Sequence, residues 1–257
     1  MQERGRGRGI GRVRRCRIRR RFLTEIIVAL DVDTIREEED ILKDLKNTVT
    51  FYKIGLRLFT AQGKRAVDLV HRFGGRVFLD LKLHDIPQTV AHAVAEAQKM
   101  GVASLSLHLS GGADMARAAA EVHPRPKLWG VTVLTSMAEK DLRALFPRAN
   151  VSTLVKNLAR MGWVNGIDGT ICSGREVAQL RKALPHPDMR FITPGIRPAQ
   201  SAVHDQKRIM TPAEAAALGI HYVVIGRPIT QAPDRLKAAQ AILAEIKQAA
   251  AGALEKP

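Results

Sequence analysis

From Leu23 onward, short apolar runs alternate with longer stretches whose apolar residues recur at helical spacing. The strand-like runs begin with IIVALDV (26–32), VTFYKIG (49–55), RVFLDLKL (76–83) and ASLSLHLS (103–110). They continue with LWGVTVLT (128–135), GIDGTICS (166–173), RFITPGI (190–196) and YVVIGRPI (222–229). Three of the intervening stretches carry clear helix signals: TIREEEDILKDLKN, with Thr34 placed as its cap, GKRAVDLVHRFG, and TPAEAAALG, which opens on Thr-Pro and stops at Gly. The chain closes on an Ala-rich helical stretch, PDRLKAAQAILAEIKQAAAGALEK.

Eight such units across residues 23–257 predict an α/β fold, a single-domain (β/α)8 TIM barrel, whose usual length is about 250 residues. A doubly wound open sheet is the alternative. A nucleotide-binding sheet of that kind shows G-x-G-x-x-G after its first strand, and ALDVDT has no such glycines. No linker or shift of composition divides the body into two domains.

Composition changes this picture at one end of the chain. Of the 257 residues, 46% are hydrophobic, which suits a globular core, and no apolar run approaches the ~20 residues that a membrane span needs. The net charge is +16, and residues 1–22 alone hold ten Arg against one Glu. Such an Arg/Gly-rich segment cannot bury enough apolar area to fold, so it is expected to be a disordered basic extension. It is either without function or a nonspecific contact for nucleic-acid phosphates. The rest is moderately basic, as a binder of a phosphorylated small molecule would be. Cys16 lies in the basic segment and Cys172 in an apolar run, so a disulfide framework is not expected and a reducing cytoplasm fits.

In a barrel, reactive side chains sit at the C-terminal ends of the strands. Those ends carry Asp31, Lys53, Asp80 with Lys82, Asp85, Thr135 with Ser136, Thr193, Gly195, Arg197, and Gly226 with Arg227. Asp80 and Lys82 are two apart, so they share a strand face, and Lys53 ends the neighbouring strand. Asp85 follows where the loop begins. Two carboxylates and two ammoniums at one mouth stabilise each other's charges. A structural ion-pair network is the plainer explanation, but buried pairs stabilise poorly against apolar replacements, and such a network at a barrel mouth points to catalysis. TPGIRP and IGRPI place glycines and arginines after strands seven and eight, where these barrels hold phosphate. The run from Pro198 to Met210 has the length of a closing lid.

ALDVD, YKIGLRLF, FLDLKLHDIPQTV, GVTVLTSM, TPGIRP, HDQKRIMTP and VVIGRPIT together resemble the orotidine 5′-phosphate decarboxylase family, from about Ile26 to Ile242. Residues 1–22 have no counterpart in that pattern. The resemblance implies decarboxylation of orotidine 5′-monophosphate to uridine 5′-monophosphate (UMP), the last step of UMP biosynthesis, with no metal or organic cofactor. It implies that Lys82 donates a proton to C6 of the pyrimidine, that Asp80 lies against the substrate carboxylate and holds Lys82, and that Lys53 bridges the ribose and Asp80. Asp85 and Thr89 would enter the site of a partner subunit in a homodimer. Asp31 would bind the ribose, Thr135 and Ser136 the pyrimidine edge, and Arg197, Gln206, Gly226 and Arg227 the 5′-phosphate. His84, inside the motif, is expected to have a packing or surface role.

Two rival readings stand beside this one. A metal-dependent phosphosugar decarboxylase or aldolase of the same barrel shares D-x-K-x-x-D but carries an acidic metal ligand where this chain has Lys53. A nucleic-acid-binding protein acting through the Arg-rich segment leaves the strand-end residues unexplained.

Overall fold

The computed structural model describes residues 23–186, 188–198 and 210–252. The expectations for residues 1–22, for Gln206 and for most of the run from Pro198 to Met210 lie outside the described residues. Eight parallel strands close into a barrel in sequence order, β8 pairing with β1. They are β1 (Glu25–Ala29), β2 (Phe51–Gly55), β3 (Arg76–Leu83), β4 (Ser104–His108), β5 (Lys127–Val131), β6 (Gly169–Ile171), β7 (Arg190–Pro194) and β8 (Tyr222–Ile225). Helices stand between successive strands, as the expected (β/α)8 barrel requires.

All eight expected strands are present, but all except β2 and β3 end before the apolar run that marks them does. Asp31, Thr135, Arg197 and Arg227 therefore sit just past their strands. The apolar run continues because the first loop residues still bury side chains: Leu30, Val133 and Ile196 are all within the core. Beyond β8, GRPI turns at once into a short helix, Arg227–Thr230.

Alternation along each strand separates two cores. Val28, Ile54, Leu79 and Leu105 face outward to the helices. Ile27, Phe51, Phe78, Trp129 and Ile192 face inward. Each such side chain, fully buried, contributes roughly 1.5–3 kcal/mol. The inward aromatics form a plug across the barrel: Phe78 lies 4.5 Å and Phe51 6.0 Å from Trp129, ring centre to ring centre, and Tyr222 closes it at 5.0 Å from Trp129. Below the plug, a hollow of about 660 Å³ opens at the N-terminal ends of the strands.

Helix starts follow the expected capping chemistry. Thr34 Oγ1 accepts from the Glu37 N–H at 3.2 Å, and Glu37 Oε2 accepts from the Thr34 N–H at 3.0 Å, a reciprocal pair at the head of Ile35–Leu45. Such a cap stabilises by about 1 kcal/mol. Thr211 and Glu214 repeat the arrangement at Pro212–Ala217, with Pro212 in the first turn.

One helical residue is out of place for its chemistry. Glu38 points inward with Ile41, Leu42 and Leu45, is 0% exposed, and neither carboxyl oxygen has a hydrogen-bond partner among the described residues. Burial pushes its pKa up to about 8, and the charge of Arg72 only partly opposes this. The folded chain thus keeps a proton that the unfolded chain releases near pH 4.5. The stability tied to that proton is complete below the unfolded value and is lost as pH rises towards 8. Glu38→Gln, a neutral isostere, should match the wild type near pH 5 and exceed it at pH 8 by on the order of 3 kcal/mol, several degrees in Tm. Thermal melts of both proteins across this range check it; parallel pH profiles would show that Glu38 is charged in the fold.

Candidate active site

Above the aromatic plug, a cavity of about 770 Å³ opens at the C-terminal ends of the strands. That is ample for a nucleotide-sized ligand. At its base, Asp80 stands between two ammoniums. Lys82 Nζ donates to Asp80 Oδ2 at 2.9 Å, and Lys53 Nζ lies 3.7 Å from the same oxygen. Lys53 Nζ also donates to Asp31 Oδ1 at 3.0 Å. Burial alone would raise the Asp80 carboxyl, but the charges of Lys53 and Lys82 and hydrogen bonds from Lys82 and Ser106 outweigh it, holding the pKa below the ordinary value. The row Asp31, Lys53, Asp80, Lys82 therefore alternates in sign along the mouth of the barrel.

Register explains the first of these positions. Lys53 pairs with Phe78 and Gly55 with Asp80, so β2 and β3 deliver their charges side by side. A Cβ on Gly55 would come within 2.7 Å of Lys53 Nζ, so glycine there leaves room for the ammonium. Past β1, Arg57 grips Asp33 through two nitrogens at 2.6 and 2.5 Å and donates to the Asp31 carbonyl at 2.8 Å, which fixes the turn that carries Asp31.

Lys82 reaches the site through an irregularity. Between Leu79 and Leu83 the β3–β4 ladder loses register: Leu79 pairs with Leu105, but Leu83 pairs with Leu107. Lys82 itself has φ 52°, in the left-handed region that costs a non-glycine residue about 1–3 kcal/mol. The regular alternation expected for RVFLDLKL thus gives way to a bulge at Lys82.

The far end of the cavity is built from the turns after β7 and β8. Gly195 takes φ 78°, a conformation open to glycine at little cost. The Arg197 N–H then donates to the Met210 carbonyl at 3.0 Å, and the Arg197 side chain is buried, 7% exposed. Gly226 precedes the short helix that begins with Arg227. Gly195, Arg197, Gly226 and Arg227 line the same cavity as the Asp80 cluster, as does Thr135.

Three expected site residues lie elsewhere on the chain's own surface. Ser136, Asp85 and Thr89 are exposed and do not line the cavity. Asp85 Oδ1 accepts from the Ile86 N–H at 2.7 Å. The second carboxylate of the cluster is therefore Asp31, on Lys53, and not Asp85, because the loop turns Asp85 away as soon as β3 ends. Ser106, Arg57 and His108 escape a reading of hydrophobic pattern alone, although SLSLH places Ser106 and His108 on one face by alternation. His108 stacks near His84, with ring centres 5.5 Å apart. Its pKa is lowered by burial and by the charges of His84 and Lys82.

The family model described as "Orotidine 5′-phosphate decarboxylase / HUMPS family" matches residues 24–242. An orotidine 5′-phosphate decarboxylase of Opitutus terrae is 46% identical over 227 residues, 87% of this chain and 98% of that protein. One of Trichlorobacter lovleyi is 43% identical over 229 residues, 86% of this chain and 95% of that protein. The crystal structure of the orotidine 5′-phosphate decarboxylase from Lactobacillus acidophilus superposes with a TM-score of 0.76 at 36% identity, covering 87% of this chain and 99% of that one. A closed barrel with lysines and aspartates alternating at its mouth, matched to these relatives over nearly its whole described length, places the chain in the orotidine 5′-phosphate decarboxylase / HUMPS family.

Proposed function

We propose that this protein decarboxylates orotidine 5′-monophosphate to UMP, the closing step of UMP biosynthesis, without metal or organic cofactor. The observation that carries the proposal is Asp80 held between Lys53 and Lys82 in a cavity whose other end presents Arg197 and Arg227. The 5′-phosphate binds at Arg197, Gly226 and Arg227, with Gln206 joining them, and the ribose lies against Asp31 and Lys53. Thr135 borders the pyrimidine, while Ser136, outside the cavity, is left without a contact to it. The substrate carboxylate then meets Asp80, and C6 meets Lys82.

When the C6–carboxylate bond breaks, its electron pair stays on C6, where resonance delocalises it little. The Lys82 ammonium, already in place, stabilises that charge as it grows and passes its proton to C6 as CO2 leaves. Asp80 keeps the Lys82 ammonium aimed. Phosphate binding, remote from C6, supplies energy for closing the site. We also place Asp85 and Thr89 in the site of a second subunit, which accounts for their exposure on the single chain. The catalytic domain is 23–257, with residues 1–22 outside it. We assign the protein to the cytoplasm; no helix among the described residues is long and apolar enough to cross a membrane.

The metal-dependent rival meets an obstacle at Lys53, whose ammonium touches both Asp31 and Asp80 and would repel a divalent cation from their carboxylates. Loss of orotidine 5′-monophosphate absorbance should therefore proceed at the same rate before and after exhaustive treatment with EDTA. Turnover that disappears on chelation and returns with Mg2+ would favour the rival.

A further inference from the structure

On β4, alternation turns Ser104, Ser106 and His108 towards the barrel interior, since Ser104 pairs with the inward Phe78 and Ser106 with the inward Trp129. Ser106 is 0% exposed. It stands beside the break in register where Lys82 leaves the ladder. The Lys82 N–H donates to Ser106 Oγ at 2.9 Å, and Ser106 Oγ donates to Asp80 Oδ1 at 2.8 Å. Asp80 Oδ2, in turn, takes the Lys82 ammonium. One hydroxyl thus closes a ring through the backbone and side chain of the reactive pair.

We propose that Ser106 is a positioning residue of this site, holding the Lys82 backbone in its left-handed turn and the Asp80 carboxylate in one orientation at the same time. The inference rests on the decarboxylase reading for its kinetic consequence. Its chemical basis is independent of that reading. A backbone N–H can only donate and a carboxylate can only accept, so a single small group that bridges them must do both, which a hydroxyl does. An apolar residue would leave a buried N–H and one carboxylate oxygen unmet. A carboxylate at this position would face Asp80 with like charge. Polarity of the interior β4 face does not by itself account for the arrangement: Ser104, two residues earlier on that face, is buried with no hydrogen-bond partner for its hydroxyl among the described residues.

Lys82 needs such a clamp more than an ordinary strand residue would. Its side chain has four rotatable bonds, so where the ammonium lands depends on where the backbone is held. A strained φ persists only when its surroundings over-determine it. The hydrogen bond from Ser106 also favours the ionised form of Asp80.

Ser106→Ala tests the assignment, since it removes one oxygen and little volume. The expected result is a kcat for orotidine 5′-monophosphate about 10- to 100-fold lower, the scale of a small misplacement at a reacting centre, with KM within about threefold. The acid limb of the pH–rate profile should move to higher pH, because Asp80 loses a donor. In the resting protein, NMR hydrogen exchange should show the Lys82 amide exchanging about tenfold faster or more, while the Leu79 and Leu105 amides keep their protection. A kcat within twofold of the wild type, or a Lys82 amide whose protection does not change, overturns the proposal. If the wild type itself does not turn over orotidine 5′-monophosphate, the decarboxylase reading fails, and the exchange measurement still decides the role of Ser106.

Discussion

Lys82→Ala should remove essentially all turnover of orotidine 5′-monophosphate while UMP still binds. Lys82 supplies both the proton and the nearest positive charge to C6 in the proposed chemistry. Loss of a general acid alone costs about 10²–10⁴ in rate, and loss of a charge aimed at the developing anion costs about 10²–10³ more. In the proposed reading, binding is governed at the other end of the cavity, which Arg197, Gly226 and Arg227 line and the substitution does not touch. Single-turnover kinetics and calorimetric titration with UMP separate the two effects. Turnover within about tenfold of the wild type would end the proposed role of Lys82, and a variant that binds no UMP would show that Lys82 organises the whole cavity.

Mixing two inactive variants should restore activity. Asp85 is exposed and turned out of its own chain's cavity, yet it follows β3 by two residues, in the motif that builds the site. In a twofold dimer, two such residues exchange reciprocally. Lys82→Ala and Asp85→Ala homodimers should each be nearly inactive. In a mixed dimer one site carries both defects, and the other has its own Lys82 together with an intact Asp85 from its neighbour. Random exchange of equal amounts makes half the dimers mixed, each with one good site, so activity should return to roughly a quarter of the wild type. If native mass spectrometry shows mixed dimers and no activity returns, Asp85 serves its own chain or none.

What was legible in the sequence follows from what local pattern encodes. Alternation and the positions of charge at strand ends were enough to bring Asp31, Lys53, Asp80 and Lys82 to one mouth, and Gly195, Arg197, Gly226 and Arg227 to the other side of it. The bulge at Lys82 was not legible, because a register shift is a relation between β3 and β4 and leaves no mark on RVFLDLKL alone. Ser106 followed it out of view, being a polar residue inside a run read for its apolar content. Glu38 was hidden for a different reason. TIREEEDILKDLKN looks like a solvated acidic face, but positions 38, 41, 42 and 45 share the helical stripe that faces the core, and the tertiary fold takes that stripe whole. The Asp85 loop direction is set where β3 ends, and apolar periodicity says nothing about it.

The aromatic plug decides the traffic of the reaction. Phe51, Phe78 and Trp129 are each no more than 3% exposed, and with Tyr222 they stand between the upper cavity and the hollow beneath it. Among the described residues, the plug therefore closes the lower end of the cavity. In the proposed reaction CO2 is released at the closed end, beside Asp80, with the nucleotide lying across the way out. In that reading the gas leaves past the bound UMP or waits behind it, because a floor of rings that takes no part in the chemistry closes the way down.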